Sequence, residues 1–269
     1  MLMAVAENIN SLSLNLKSGS LEVRLAENSL EIDAAQALRY KVFYQEMKAK
    51  AGLKQTKQKR DFDDFDHYFD HILVLNNNIK GSFHNKVIGT YRLNRGGQNN
   101  GEKLFYTSGE YNITPLIENG GNILELGRSC VAKKYRTGAT MQLLWSFIAQ
   151  YIIKYEIDIM FGCASFPGVN PNIHKNSFDY LYRNYLAPKA IRPTALKERF
   201  IKMKSEAYKK LSFKDFLASI PPLIKGYIRL GALVGNGAVI DYDFNTTDIC
   251  IVLPTEKIAS RYKLHYDRN

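Results

Sequence analysis

Five aspartates fall within ten residues in the stretch DFDDFDHYFD: Asp61, Asp63, Asp64, Asp66 and Asp70. The whole chain has 26 acidic residues against 37 basic ones, so this density stands out. Carboxylates packed so closely suit a metal ion, a substrate ammonium, or a loop that simply faces water. Calcium fails on spacing. Counted from Asp61, the sixth position of a calcium loop is Asp66 rather than Gly and the twelfth is Ile72 rather than Glu. A second stretch offers positive charge. RTGAT, 136–140, leads from a strand pattern through Arg136 and Gly138 into a helix pattern. A helix N-terminus presents free N–H groups, and a glycine lets an anion approach the backbone. The phosphate of a phosphopantetheine arm suits such a place, and an ordinary helix cap explains the same residues. A third pattern, His174 to Asp179, matches the His-x4-Asp spacing that activates a hydroxyl acceptor. The Glu-Gly-Thr-Arg motif that should follow is missing, so the match is read as chance.

The three cysteines, Cys130, Cys163 and Cys250, are far apart and form no CxxC pair. They read as small buried residues in a reducing compartment, with no metal site expected on them. No apolar run reaches the ~18 residues of a spanning helix. The N-terminus lacks the basic-then-apolar order of a signal peptide. The expectation is a cytoplasmic protein whose membrane contact is peripheral, at an anionic inner-membrane surface.

Elements must position these groups. Strands are expected at 21–26 (an edge strand), 71–76, 86–94, 122–132, 158–166 and in the segments AVIDYD and DICIVLP. Helices are expected at 33–47, with Asp33 as N-cap, and at 137–155, 177–185 and 221–232. Residues 48–70 and 95–103 read as loop or short helix. Strands interleaved with helices give an α/β layer fold. The expected division is a tail at 1–20, one domain at 21–215 and an extension at 216–269 packed on it. The net charge is +11. Between Lys189 and Lys214, nine Lys or Arg face two Glu, a local +7, and KQTKQKR (54–60) is a second basic run. Such patches attract nucleic acid, anionic lipid or an acidic protein. No nucleic-acid-binding motif is visible, and no nucleic-acid partner is expected.

Several motifs occur together and in order: LRYKVFYQEM (38–47), DDFDHYFDHILV (63–74), VIGTYRL (87–93), ELGRSCV (125–131) and FGCASFPG (161–168). With the C-terminal block 221–258 they resemble the bacterial L-ornithine N-alpha-acyltransferases, relatives of the acyl-homoserine lactone synthases. The resemblance covers about 230 residues of this sequence. It implies a GCN5-related N-acyltransferase-like (GNAT) fold, with a mixed, mostly antiparallel central sheet flanked by helices and a C-terminal α/β extension. It implies transfer of a 3-hydroxyacyl chain from acyl carrier protein to the alpha-amine of L-ornithine, giving lyso-ornithine lipid. No cofactor is then needed, because the donor carries its own phosphopantetheine. The lactone-synthase pattern falls on Arg39, Phe43, Asp63, Asp66, Arg92, Glu125 and Arg128. The usual acetyltransferase phosphate loop is degenerate here, which weakens a coenzyme A reading and fits a carrier-protein donor.

Amine acylation needs a neutral amine, a polarised thioester carbonyl and an expelled thiolate. Glu125, at a strand centre, is the expected base, with Asp63 or Asp66 next. An ion pair between Glu125 and an arginine is the structural alternative. Backbone N–H groups from Gly127 to Cys130, Ser129 among them, are expected at the oxyanion. Arg39, Arg92 or Arg128 would take the acceptor carboxylate and an Asp its distal ammonium, while Arg136 and Gly138 would take the phosphate. Asp61 and Asp64 are left as solvated, and Asp70 with His71 as a buried turn. Lactone-type transfer to another amine, and a non-enzymatic basic binding protein, are the alternatives.

Overall fold

The computed structural model describes residues 14–96, 105–206, 211–256 and 258. Most of the expected loop at 95–103, His265, Lys209 and Lys210 lie outside them. Among the described residues ten strands run in chain order: β1 (Asn15–Ser18), β2 (Leu21–Leu25), β3 (Asp70–Asn76), β4 (Val87–Asn94), β5 (Tyr111–Asn112), β6 (Ile123–Val131), β7 (Ile159–Pro167), β8 (Thr194–Ala195), β9 (Leu233–Asp241) and β10 (Thr246–Pro254). The α-helices are α1 (Ser29–Tyr40), α2 (Leu53–Gln58), α3 (Phe83–Lys86), α4 (Thr114–Asn119), α5 (Gly138–Lys154), α6 (Lys175–Tyr185), α7 (Phe213–Ser219) and α8 (Pro222–Leu230). No helix among these residues is long and apolar enough to cross a membrane.

Two compact units are present. The first takes its residues from 1–94, 126–157 and 258–269, the second from 95–125 and 158–257. The expected cut at 215/216 is a different partition. In the first unit β1, β2, β3 and β4 form an antiparallel meander. Helix α1 packs on β3 and β4, and α5 on β1 and β2. Every residue of β4 is buried, as expected of a strand covered on both faces. Gly89 of β4 is tightly enclosed, since a Cβ there would lie 3.0 Å from Val74 Cγ2.

Helix α1 begins at Ser29, and its N-cap is Asn28, whose side chain accepts from the Glu31 N–H at 3.1 Å. Glu31 in turn accepts from the Glu27 N–H and two N–H groups of Arg24. The expected N-cap, Asp33, instead lies inside the helix and pairs with Arg60 and His84. After Tyr40 the chain widens into one stretch of π-helix, Lys41–Glu46, where the Met47 N–H reaches Val42 O. Two further expectations are corrected. Asn15–Ser18, expected within a tail, is strand β1, and β2 is therefore an interior strand of the meander rather than an edge.

In the second unit β7, β10 and β9 are antiparallel neighbours, β8 runs parallel to β9, and β5 closes on β8. The first residues of β6 pair parallel with β7: Ile123 with Ile159, Leu124 with Met160 and Glu125 with Phe161. Phe105, Tyr111, Leu116, Phe161, Val239 and Val252 fill the core on one face. Helix α8 packs on β7 and β10, and α6 on β9. Its left-handed cap, Gly231 at φ 93°, ends α8 one residue past Leu230. Both units thus carry mostly antiparallel sheet flanked by helices.

Candidate active site

The first unit gathers the dense aspartates against three arginines. Arg39, on the last turn of α1, is 0% exposed. Its two Nη atoms donate to Asp66 at 2.7–3.0 Å, and its Nε lies 2.8 Å from Asp61 Oδ2 as an ion pair. Arg92, on β4 and 1% exposed, reaches Asp66 at 2.9 Å and also pairs with Asp63, while its guanidinium lies over the Phe69 ring. Arg128, on β6, reaches Asp63 at 3.2 Å and Asp61 at 3.4 Å. Three carboxylates thus face three guanidiniums, mostly away from water. Burial opposes ionisation of Asp66, but the charges and hydrogen bonds of Arg39 and Arg92 outweigh it and hold its carboxyl well below the usual range. His71 packs against this lattice, with Nε2 on Asp66 O. Burial and the Arg39 charge push its pKa down to about 4, so its imidazole is neutral. Tyr44 donates to Asp61 at 2.9 Å.

Asp61 is 2% exposed and belongs to the lattice, which corrects its reading as solvated. Asp64 is exposed as expected. Asp70 and His71 do not form a turn of their own, since Asp70 accepts from the Tyr151 hydroxyl. The density of aspartates therefore reflects ion pairing within the chain. Asp63 and Arg128 are the members that reach furthest toward the surface.

Arg128 has φ 52°, in the left-handed region, in the middle of a strand. A non-glycine residue there is strained by about 1–3 kcal/mol and is held by its surroundings, here by Asp61 and Asp63. Ser129, next to it, is half-buried. Phe43 is buried in the π-helical stretch. Cys130 is buried, which pushes its thiol up to about 12.

Helix α5 begins at Gly138, which is exposed and has open space where a side chain would stand. Thr137 caps the helix by accepting from the Thr140 N–H. Arg136 donates to both carboxylate oxygens of Glu46 and, through Nε, to Val131 O. Lys133 and Lys134 are exposed beside it.

In the second unit, Glu125 is 1% exposed. Its Oε1 accepts from the Thr107 N–H at 2.6 Å and its Oε2 from the Tyr106 N–H at 3.0 Å. Both donors open the short 3-10 turn Tyr106–Gly109, which Glu125 caps from β6. His174 and Asp179 have separate partners: His174 bonds Pro167 O, while Asp179 accepts from Arg183 and the Ser205 N–H. The second unit also holds a carboxylate group that sequence reasoning missed, Glu110, Asp241 and Asp248. Their separation along the chain leaves no local pattern to find.

A family model described as an acetyltransferase (GNAT) domain matches residues 38–146. An L-ornithine N(alpha)-acyltransferase of Agrobacterium fabrum (strain C58 / ATCC 33970) is 45% identical over 250 residues, covering 92% of this chain and 85% of that protein. One of Rhizobium meliloti (strain 1021) is 45% identical over 251 residues, covering 92% and 84%. Among solved structures, an N-acyl amino acid synthase from uncultured soil microbes, FeeM, covers 89% of this chain and 97% of its own at 12% identity, with a TM-score of 0.45.

Proposed function

The chain belongs to the L-ornithine N(alpha)-acyltransferase family, and on that premise we propose that it moves a 3-hydroxyacyl chain from acyl carrier protein to the alpha-amine of L-ornithine, giving lyso-ornithine lipid. The observation that carries the reading is the 45% identity over 92% of the chain. The side chains supply chemistry that agrees with it. The alpha-amine attacks the thioester carbonyl, the C–N bond forms, the C–S bond breaks, and the thiolate leaves on the pantetheine. Glu125 takes the proton from the attacking amine, directly or through water. In the first unit, the N–H groups of Gly127 to Cys130, beside the left-handed Arg128, are the proposed oxyanion donors. Asp63 and Asp66 act through the lattice, holding Arg92 and Arg128 in place. Arg128, the partly exposed arginine, takes the acceptor carboxylate. Arg39 and Arg92 are sealed and support it, and Phe43 is buried four residues after Arg39.

The phosphate of the pantetheine arm docks at the N-terminus of α5, where Gly138 leaves the backbone bare and Lys133 and Lys134 add charge, and Arg136 reaches it by exchanging Glu46 for the phosphate. Acidic acyl carrier protein docks on the basic stretch 189–214, of which Lys202 and Lys204 are described. A different surface suits an anionic membrane. Leu53, at the start of α2, is 93% exposed, and Met47 is exposed nearby in sequence. Lys48, Lys50, Lys54, Lys57 and Lys59 are exposed around them. Apolar wedges among lysines insert at a negatively charged interface.

The test is incubation of purified protein with 3-hydroxyacyl carrier protein and a panel of amino acids, with products read by mass spectrometry. N-acyl ornithine is expected. A lactone made from S-adenosylmethionine, or no product from folded protein and a competent donor, overturns the reading.

A further inference from the structure

The lattice of the first unit takes in a phenol. Tyr44 is half-buried, its ring centroid lies 5.2 Å from that of Tyr40, and its hydroxyl donates to Asp61 Oδ1 at 2.9 Å. The other oxygen of Asp61 is shared. It lies 2.8 Å from Arg39 Nε and 3.4 Å from Arg128 Nε. A phenol, a carboxylate and a guanidinium thus form one chain, Tyr44 to Asp61 to Arg128, which runs from the π-helical stretch to β6.

The far end of that chain is the part an acceptor can reach. The side chains of Arg39 and Arg92 are 1% exposed, whereas that of Arg128 is 13% exposed. An arginine grips a carboxylate through paired N–H groups in one plane, so the plane of its guanidinium has to be set beforehand. Two acids set it for Arg128: Asp63 at Nη2, 3.2 Å away, and Asp61 at Nε. Asp61 is the less secure of the two, because Arg39 is nearer to the shared oxygen and draws it away. The terminal torsion of an aspartate is soft, so a carboxylate held through one oxygen turns readily. The Tyr44 hydroxyl holds the second oxygen and keeps Oδ2 between the two arginines. Asp61 is 2% exposed, so bulk water does not compete for that place. Burial and the Asp61 charge raise the Tyr44 pKa above its ordinary value, and the phenol stays a donor.

Tyr44 owes its direction to the widened helix. Each α-helical residue turns the chain by about 100°, and a π-helical residue turns it less. Side chains after Tyr40 are therefore swung off the path that a regular continuation of α1 would give them, Tyr44 among them. On the reading of the chain as an ornithine acyltransferase, with Arg128 taking the acceptor carboxylate, we propose that Tyr44 is a positioning residue: it aims Arg128 through Asp61 and so sets the selection for acceptors that carry a free carboxylate.

The test compares kcat/KM for L-ornithine with that for L-ornithinamide, in which a carboxamide replaces the carboxylate. Wild-type protein is expected to favour ornithine by about 100-fold. Tyr44→Phe keeps the ring and its packing on Tyr40 and removes only the hydroxyl. It should raise KM for ornithine about tenfold, change kcat far less, and lower the ornithine-to-ornithinamide ratio about tenfold. A variant that loses stability in urea while its KM and its ratio stay at the wild-type values makes the Tyr44 bond structural only and overturns the proposal, with the reaction left standing. Wild type that acylates both acceptors equally well takes the carboxylate away from Arg128 and overturns it too. Wild type that acylates neither overturns the proposed reaction as well. The route through Arg128 has its own check, since residues that act as one unit are not additive. Added to Arg128→Lys, which itself lowers the ratio, Tyr44→Phe should lower it no further. A second, independent loss in the double variant overturns the route.

Discussion

Replacing Glu125 by Gln separates the turn cap that it forms from its proposed role as the base. The structure sets the cost of the change. Both carboxylate oxygens accept a backbone N–H, from Thr107 at 2.6 Å and Tyr106 at 3.0 Å. A Gln amide can satisfy only one of them and turns its NH2 toward the other. One buried donor is left unmet, at a cost of about 1–3 kcal/mol. A chain of this size has roughly 5–15 kcal/mol in hand, so the variant stays folded. Loss of the base lowers turnover by about 10²- to 10⁴-fold. Initial rates of ornithine acylation at saturating donor measure the second effect. Urea unfolding followed by circular dichroism measures the first. Turnover within about tenfold of wild type, in a folded variant, refutes Glu125 as the base. Unfolding of the variant reduces Glu125 to a cap for the Tyr106–Gly109 turn.

Arg39→Met leaves Asp61 and Asp66 buried with less charge opposite them and should cost about 3–5 kcal/mol in urea unfolding at neutral pH. Because the folded Asp66 pKa is depressed, this stabilisation is fully present above the ordinary carboxylate value of about 3.9 and fades as pH falls below it. The gap between wild type and variant should therefore be flat near neutrality and shrink in acid, and a gap that grows in acid contradicts the lattice. Gly138→Glu places an acid on the first turn of α5, where it favours the helix but repels a phosphate. Its KM for acyl carrier protein should rise with no loss of thermal stability. Lys202→Glu with Lys204→Glu should raise the same KM, and unchanged kinetics would remove that docking surface. Leu53→Glu should weaken flotation with vesicles containing anionic lipid while leaving neutral vesicles unaffected.

The elements that could be read in advance are those whose pattern is long enough to carry a period. The covered strand β3 reads as a continuous apolar run at Ile72–Leu75, β4 as a β-branched and aromatic stretch, and α5 as a long apolar helix. Strand β1 is four mostly exposed residues, and β5 and β8 are two residues each. Two residues have no period, and their pairing depends on neighbours brought up from elsewhere in the chain. The start of α1 was legible and misplaced. Asn28, with Glu31 three residues on, is a helix-start signature, whereas Asp33 is already inside the helix and pairs outward with Arg60 and His84.

Density along the sequence proved a better guide to ion pairing within the chain than to a place for a ligand. Asp61, Asp63 and Asp66 cluster because one short segment lies across three arginines from α1, β4 and β6, and each has a guanidinium to face. A lattice balanced in this way is stable with nothing bound. A site for a cation has the opposite character, because it must carry charge that the chain itself leaves incompletely answered. Glu110, Asp241 and Asp248 come together only because β9 and β10 fold back beside the turn before β5. No stretch of sequence records that meeting.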